Sequence, residues 1–251
     1  MKQDQGLEPN EFYDFVSRRI YINLTNKCNI KCPFCFMYSS PNNTIDMPFE
    51  KFKDIIQNTI TDKCFEVQLG GGETTLYPQF LAAVEYCLIH PLVTTVLIDT
   101  NGRTLDQWLP VLNDLALKYN KKIILKISVN YYLVQLNPKY VKNLHDLLYP
   151  YHENKLLNFF LSIRTRQPIS LDQNFLEEIQ QDEYLSSLSH ILVFLEYTGR
   201  ARDLKIPNLI LSNNISPKIH LSTIFATDGT CFGEDWNGRQ EHEKTIAKDP
   251  I

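Results

Sequence analysis

The sequence predicts an α/β fold built from six successive βα units. Short runs rich in β-branched residues alternate with longer segments in which apolar residues recur at helical spacing, a pattern typical of a parallel sheet with crossover helices. The chain has 251 residues, a common length for a single α/β barrel domain. Its apolar fraction of 43% is enough for a large core.

The elements follow in strict alternation. Six strands are predicted, at residues 20–24, 65–69, 95–98, 123–129, 158–163 and 191–195. Five helices lie between them, at residues 49–61, 78–90, 105–119, 139–149 and 173–181. Pro91 is expected to end the second helix, because the residue before a proline disfavours the helical conformation. Asp172 is the candidate N-cap of the fifth helix.

The pattern changes from Lys205 onward. Asn, Ser and Pro accumulate over residues 206–217, which indicates a connecting loop. A strand at 219–225 is predicted to precede a glycine- and charge-rich end. We therefore expect an N-terminal segment at 1–17, a βα core at 18–204 and a C-terminal extension at 205–251.

Charge and hydropathy exclude several classes of protein. A formal net charge of -4 argues against a protein that binds nucleic acid by general attraction to phosphates. No stretch approaches the ~18 apolar residues that a membrane span needs. The first ten residues are polar and contain no apolar signal segment. We expect a cytoplasmic protein with neither nucleic acid nor membrane as a partner.

Three of the six cysteines, Cys28, Cys32 and Cys35, form a C-x3-C-x2-C run directly after the first predicted strand. Three thiolates on a short loop can each ligate one iron of a [4Fe–4S] cluster, which leaves the fourth iron open for chemistry. The alternatives are free thiols or a zinc site completed by His. Zinc sites favour a second C-x2-C pair downstream, whereas the other three cysteines stand singly. The spacing therefore favours an iron–sulfur site.

A second motif, Leu69-Gly-Gly-Gly-Glu-Thr-Thr-Leu76, follows the second predicted strand. Glycines allow a backbone to approach a ligand closely, and Glu73 offers a carboxylate to a cationic group. Read alone, the segment favours a flexible loop. Its place one strand after the cysteine run, at the edge where barrel enzymes have their active sites, favours the ligand-binding interpretation.

Together these motifs resemble the radical S-adenosylmethionine (radical SAM) superfamily, which also has an aromatic residue, here Phe34, before the third cysteine. The resemblance covers residues 18 to 200. It implies a partial (β/α)6 TIM-like barrel and one [4Fe–4S] cluster held by the three cysteines. It also implies S-adenosylmethionine as a cofactor and a low-potential electron donor, flavodoxin or ferredoxin, as a partner.

The resemblance also implies roles for individual residues around the S-adenosylmethionine. It assigns the methionine amino group to Gly71, Gly72 and Glu73, and the adenine to the backbone of Phe34. Where the family usually has Pro after the glutamate, this chain has Thr74, a departure that concerns loop stiffness more than ligand chemistry.

Three further strand ends carry weaker signals. Asp99-Thr-Asn-Gly102 resembles the family's Thr-Asn-Gly turn, although Asn-Gly is a common tight turn. Ser128 and Asn130 share strand parity, and the family suggests that they contact the ribose; hydrogen bonding without a ligand is the alternative. Arg164 is the candidate partner of the cofactor's carboxylate, and Arg166 competes for that role.

Two segments near the C-terminus resemble radical SAM enzymes with a SPASM or related extension. These are Glu196-Tyr-Thr-Gly-Arg-Ala201 and Thr227-Asp-Gly-Thr-Cys231. Such extensions normally hold auxiliary clusters on several cysteines, but this tail contains only Cys231. We therefore expect no auxiliary cluster here, and either a shortened remnant of such an extension or a variant that caps the barrel. Cys231 is either an ordinary cysteine or a hydrogen-atom donor to a substrate radical.

The family implies reductive cleavage of S-adenosylmethionine to a 5′-deoxyadenosyl radical, which removes a hydrogen atom from a substrate. The C-terminal features favour a peptide or protein substrate, modified by epimerisation or cross-linking as in ribosomally made peptides (RiPPs). A small molecule such as a sugar or nucleoside, or a glycyl-radical partner to be activated, are the alternatives. A non-catalytic electron carrier is a remote one, because a carrier needs no Gly-Gly-Glu loop.

Overall fold

The computed structural model describes residues 19–60, 65–210 and 222–247. Within them lies one eight-stranded sheet, in the order β6-β5-β4-β3-β2-β1-β7-β8. The strands are β1 (Arg19–Thr25), β2 (Phe65–Gly71), β3 (Val93–Thr100), β4 (Lys122–Asn130), β5 (Leu157–Thr165), β6 (Ser189–Phe194), β7 (Ser222–Phe225) and β8 (Cys231–Gly233). Neighbours pair in parallel from β6 through β7, and β8 pairs antiparallel with β7.

Nine α-helices occur in the described residues. They are α1 (Phe49–Thr59), α2 (Phe80–Ile89), α3 (Leu105–Tyr119), α4 (Tyr131–Leu136), α5 (Tyr140–Leu148), α6 (Gln173–Gln181), α7 (Glu183–Ser187), α8 (Arg200–Asp203) and α9 (Trp236–Ile246). The α/β architecture of six βα units is confirmed, and α2 ends at Ile89 just before Pro91, as predicted. The sequence did not predict the short helices α4, α7 and α8, or α9.

Three predictions fall wholly or partly outside the described residues. The N-terminal segment 1–17 lies there, as does most of the predicted loop at 206–217. Of the strand predicted at 219–225, only the part that forms β7 is described. None of the helices in the described ranges is long and apolar enough to cross a membrane.

Asp172 stands at the N-cap of α6, but its carboxylate does not cap that helix. The carboxylate instead accepts hydrogen bonds from the backbone N–H of Arg166 at 2.6 Å and from Arg166 Nη2 at 2.7 Å. The expected side-chain cap is therefore wrong, because an ion pair within the β5–α6 connection uses the same oxygens.

The sheet has one apolar and one polar face, which alternate along each strand. On β1, Ile20, Ile22 and Leu24 belong to the core that includes the helices, whereas Tyr21 and Asn23 face the other way. Strand register continues this second face across the sheet through Gln68, Asp99, Lys126, Ser128, Asn130, Ser162 and Arg164. Parallel sheets are usually apolar on both faces. The polar side chains on this second face, among apolar ones such as Leu97 and Ile124, therefore distinguish it from the helix-covered face of the sheet.

The C-terminal segment packs against the inner side of β1. Asn23 Nδ2 donates a hydrogen bond to Glu243 Oε1 of α9 at 2.7 Å. The guanidinium of Arg239, fully buried, lies over the rings of Trp236 and Tyr21 at 4.5 and 5.0 Å. Helix α9 thereby places two buried charged side chains, Arg239 and Glu243, against the inner side of β1. These residues lie outside the βα core that the sequence predicted.

Candidate active site

The cysteine run forms the loop between β1 and α1, at the carboxyl edge of the sheet. Cys28 is buried, whereas Cys32 and Cys35 are half-buried. The backbone N–H of Cys28 donates to the carbonyl oxygen of Ser40 at 3.1 Å, and that of Cys35 donates to Cys32 at 3.2 Å. These bonds fold the loop back on itself and bring the three thiols into one neighbourhood.

The chemistry of the three thiols fits an iron–sulfur cluster. None of them is in a disulfide. Burial raises the pKa of Cys28 to about 12, and the charge of Glu73 raises it further. Burial is also the main cause that raises the pKa of Cys32, and repulsion from Cys35 and Cys28 adds to it. Crowded, buried thiols become thiolates when a cationic metal centre compensates their charge. The loop therefore has the donor set that such a centre needs.

A single-metal site is not formed by these residues. Within the described ranges, no three His, Cys, Asp or Glu side chains are close enough together to hold one metal ion. Ligands of three different irons in a cubane are spread more widely than ligands that share one ion. The choice of a cluster over zinc therefore rests on the spacing of the three cysteines in the sequence.

The Gly-Gly-Glu loop lies directly against the cysteine loop. The backbone N–H of Gly72 donates to the carbonyl oxygen of Thr25 at 2.7 Å, and that of Glu73 donates to Lys27 at 2.9 Å. A Cβ on Gly72 would collide with the carbonyl oxygen of Lys27. Glycine is required here because two backbones touch. The two motifs, more than 35 residues apart in sequence, form one structural unit.

Glu73 is fully buried and serves as the junction of this unit. Its Oε1 accepts hydrogen bonds from the hydroxyls of Thr75 and Thr100, both at 2.7 Å, and its Oε2 accepts one from the backbone N–H of Asn101, also at 2.7 Å. Burial raises the pKa of Glu73, and these hydrogen bonds oppose the rise. The sequence did not predict that Glu73 accepts hydrogen bonds from other residues of the protein. A contact with the cofactor's amino group stays a prediction.

The turn after β3 completes the connection to the cysteines. Asn101 Nδ2 donates to Asn29 Oδ1 at 2.7 Å and lies 3.7 Å from Cys28 Sγ. The hydroxyl of Tyr140 lies 2.9 Å from the carbonyl oxygen of Asn101 and 2.7 Å from that of Ser128. The Asp99–Gly102 motif was visible in the sequence, but the side-chain roles of Thr100 and Asn101 were not.

Aromatic side chains line the other side of the cysteine loop. The ring of Phe34 lies 5.4 Å from that of Tyr131 and 6.3 Å from that of Tyr132. Both tyrosines belong to α4, which Asn130 caps by accepting hydrogen bonds from Tyr132 and Leu133 at 3.1 Å. The cap uses the side-chain oxygen of Asn130, one of the two residues predicted to contact a ribose. That predicted contact, and the one of Ser128, stay predictions.

The two candidate arginines have different surroundings. Arg166 makes a two-point ion pair with Asp172, and its guanidinium lies 4.1 Å from the ring centroid of Tyr131. Arg164, paired in register with Asn130, lies 5.9 Å from the ring of Phe36. Its guanidinium makes no hydrogen bond or ion pair with any described residue. The guanidinium of Arg166 is thus held by Asp172 and by the carbonyl oxygen of Leu171, whereas that of Arg164 is not engaged by any described residue.

Below the loops, the inner face carries a polar network that sequence reasoning missed. Gln68 Nε2 donates to Asp99 Oδ2 at 2.8 Å, and Lys126 Nζ lies 3.9 Å from Asp99 Oδ1. Only alternation along the predicted strands signalled that these side chains share a face. They line the interior beneath the two motifs.

Cys231 lies on the edge strand β8 and is exposed. It pairs in register with Phe225, which in turn pairs with Ile22 of the apolar face. Its role as a hydrogen-atom donor stays a prediction.

With this geometry described, the chain can be compared with known proteins. The family model of the radical SAM superfamily matches residues 22–147, which include the cysteine loop, the Gly-Gly-Glu loop and the turn after β3. The chain belongs to the radical SAM superfamily. The predicted family is thereby confirmed, and the cluster and S-adenosylmethionine follow from membership of this family of enzymes.

Two curated radical SAM relatives match shorter stretches. The mycofactocin maturase MftC of Mycobacterium tuberculosis (strain CDC 1551 / Oshkosh) is 34% identical over 79 residues, which are 32% of this chain and 20% of the maturase. The GTP 3',8-cyclase of Chlorobaculum tepidum is 28% identical over 98 residues, which are 39% of this chain and 30% of the cyclase. The chain thus matches well under half the length of either relative.

A solved structure supports the radical SAM fold. The structure of native anSMEcpe with bound AdoMet and Cp18Cys peptide superposes with a TM-score of 0.54 at 18% sequence identity, covering 71% of this chain and 51% of the other. At this identity the likeness establishes the fold alone, and it confirms the predicted TIM-like architecture.

Proposed function

We propose that this protein is a radical SAM enzyme that modifies a peptide or protein. The observation that carries the proposal is the direct hydrogen bonding between the cysteine loop and the Gly-Gly-Glu loop, through Thr25 and Lys27, at the carboxyl edge of the sheet. A mere electron carrier needs the first loop but not the second. We also propose that residues 18–204 form the catalytic core and that 205–251 form a capping extension.

The site residues have two kinds of proposed role, in that some bind the cluster and others orient S-adenosylmethionine. Cys28, Cys32 and Cys35 are the proposed ligands of three irons of a [4Fe–4S] cluster. When bound, this cluster and S-adenosylmethionine supply the radical that removes a hydrogen atom from the substrate. The Gly71–Glu73 loop orients the amino group of the cofactor, and Arg164 grips its carboxylate.

Support for a peptide substrate comes from relatives and from the C-terminal segments. MftC is a maturase, and the neighbouring solved structure contains a bound peptide. The Gly-Arg-Ala segment after β6 and the Asp-Gly-Thr-Cys segment after β7 resemble the peptide-modifying branch. The GTP 3',8-cyclase favours a second candidate, a nucleotide or nucleoside substrate. Its match is similarly short, so sequence similarity alone does not rank the two.

The reaction type is tested by anaerobic reconstitution with iron and sulfide, followed by S-adenosylmethionine and dithionite. We expect brown absorbance and 5′-deoxyadenosine from the wild-type chain and neither from Cys32→Ala. Cys87→Ala is the matched control, because Cys87 is buried in α2 and far from the loop in sequence. A wild-type chain that binds a cluster but forms no 5′-deoxyadenosine with any candidate substrate would identify it as a carrier instead.

The substrate class is tested by two parallel additions to the reconstituted enzyme. One contains short peptides encoded beside the gene, and the other contains nucleoside triphosphates. We expect a mass change in a peptide, with 5′-deoxyadenosine rising in step. A product from a nucleotide and none from the peptides would replace the peptide proposal. Flavodoxin or ferredoxin is the proposed physiological donor, to be compared with dithionite in the same assay.

A further inference from the structure

Arg200 is fully buried at the start of α8, and its guanidinium and its backbone N–H donate hydrogen bonds to the cysteine loop. Its Nη1 donates to the carbonyl oxygen of Cys32 at 2.8 Å, and its Nη2 donates to that of Ser39 at 3.1 Å. Its backbone N–H donates to the carbonyl oxygen of Cys35 at 3.1 Å. One residue thereby fixes three carbonyls across the part of the loop that carries two of the three thiols.

The residue before it permits this approach. Gly199 has a φ of +55°, and a Cβ there would collide with the Cα of Phe36 and the carbonyl oxygen of Cys35. The backbone after β6 therefore lies in direct contact with the backbone after the third cysteine. Only glycine fits both the left-handed conformation and the space.

Helix α9 fixes the other end of the short α8. Lys244 Nζ lies 2.7 Å from Asp203 Oδ2, which also accepts a hydrogen bond from the hydroxyl of Tyr38 at 3.0 Å. Arg202 on the exposed side pairs with Glu241 at 2.8 Å. The Gly-Arg-Ala segment is thus held between the cysteine loop and the C-terminal helix.

We propose that Arg200 is a positioning residue that sets the shape of the cluster-binding loop and raises the reduction potential of the cluster bound there. Reduction adds one electron to a centre that already carries three thiolates, so the reduced form is the more negative one. A buried cation beside Cys32 stabilises that form more than the oxidised form, because charges interact strongly away from water. This inference rests on one part of the proposed function, the binding of a cluster by the cysteine loop, and it does not depend on the substrate.

The test compares Arg200→Met, Arg200→Lys and the control Arg202→Met, which removes an exposed arginine of the same helix. Iron per chain is measured after anaerobic reconstitution, circular dichroism reports folding, and an EPR-monitored redox titration gives the midpoint potential without S-adenosylmethionine. We expect Arg200→Met to hold less iron and to have a lower midpoint potential. Arg200→Lys keeps the charge and should return the potential towards wild type, and Arg202→Met should match wild type in both.

The outcomes separate this inference from the proposed function. A wild-type potential in Arg200→Met, or an equal shift in Arg202→Met, overturns the inference alone. If Arg200→Met is folded but holds no cluster, the Arg200→Lys variant decides. A near-wild-type midpoint potential in Arg200→Lys supports the inference. A midpoint potential well below wild type in Arg200→Lys, or a folded Arg200→Lys chain without a cluster, overturns the charge effect. A wild-type chain that binds no cluster overturns both proposals.

Discussion

The backbone N–H of Asn101 donates a hydrogen bond to Glu73 Oε2 at 2.7 Å, so the turn after β3 fastens the Gly-Gly-Glu loop after β2. Through the same residue the turn also reaches Asn29 and Cys28. Three strand ends are thereby joined around one buried carboxylate. A change at Glu73 is expected to reach all three.

Glu73→Gln should destabilise the fold and weaken cofactor binding. The amide would direct an N–H at a buried donor, and one unsatisfied buried group costs about 1–3 kcal/mol. We expect a loss of that size in the free energy of urea unfolding and about a tenfold increase in the Kd for S-adenosylmethionine, equivalent to ~1.4 kcal/mol. Glu177→Gln, on the exposed side of α6, is the control. Wild-type values for both quantities would contradict the central role of Glu73.

Gly72→Ala should separate the two loops. The new methyl group would overlap the carbonyl oxygen of Lys27, so one backbone must move away. We expect reduced iron content after reconstitution and loss of 5′-deoxyadenosine formation. Gly233→Ala is the matched control, because a Cβ there meets nothing within 4 Å although φ is +54°. It should lose about 1 kcal/mol of stability from backbone strain and keep the cluster. An unaffected Gly72→Ala site would show that the loops tolerate separation.

Arg164 and Arg166 should behave as opposites when each is changed to Met. Removing Arg166 leaves the buried carboxylate of Asp172 without its guanidinium, which should cost about 1–3 kcal/mol of unfolding free energy. Removing Arg164 should cost little stability but increase the Kd for S-adenosylmethionine about tenfold. Calorimetric titration and urea unfolding of the same two variants measure both effects. The reverse pattern would reassign the cofactor's carboxylate to Arg166.

Asp203 should make the docking of α8 on α9 sensitive to acid. Burial alone would raise its pKa, but hydrogen bonds from Lys244 and Tyr38 outweigh burial and lower it. A carboxyl with a lowered pKa in the folded state contributes stability above its unfolded pKa and loses it as the pH falls through the folded value. Urea unfolding at about pH 7 and about pH 3 should therefore show a smaller acid loss in Asp203→Asn than in wild type. Asp114→Asn, exposed on α3, should show the wild-type loss.

Cys231→Ala tests the hydrogen-atom donor. If Cys231 donates hydrogen to a substrate radical, the variant should still cleave S-adenosylmethionine but fail to complete the product. Mass spectrometry of the substrate and chromatography of 5′-deoxyadenosine measure the two steps separately. Product formation at the wild-type rate would refute the donor role.

The sequence by itself determined those features of the protein that are encoded by residues close together in the chain. The C-x3-C-x2-C spacing, the Gly-Gly-Glu loop and the strand–helix alternation are short-range patterns, because each is encoded within one loop or one element. They predicted the family, the α/β barrel architecture and the positions of six strands and five helices.

Tertiary structure decided which distant groups support those motifs. Arg200 reaches Cys32 across 168 positions of sequence, and Asn23 meets Glu243 across 220. The carboxylate of Glu73 accepts hydrogen bonds from Thr100 and Asn101 at the end of β3 as well as from the nearby Thr75. Such contacts depend on how strands and helices pack, and no local pattern specifies them. The sequence by itself therefore predicted the ligands of the site, and only the fold decided which buried charges surround them.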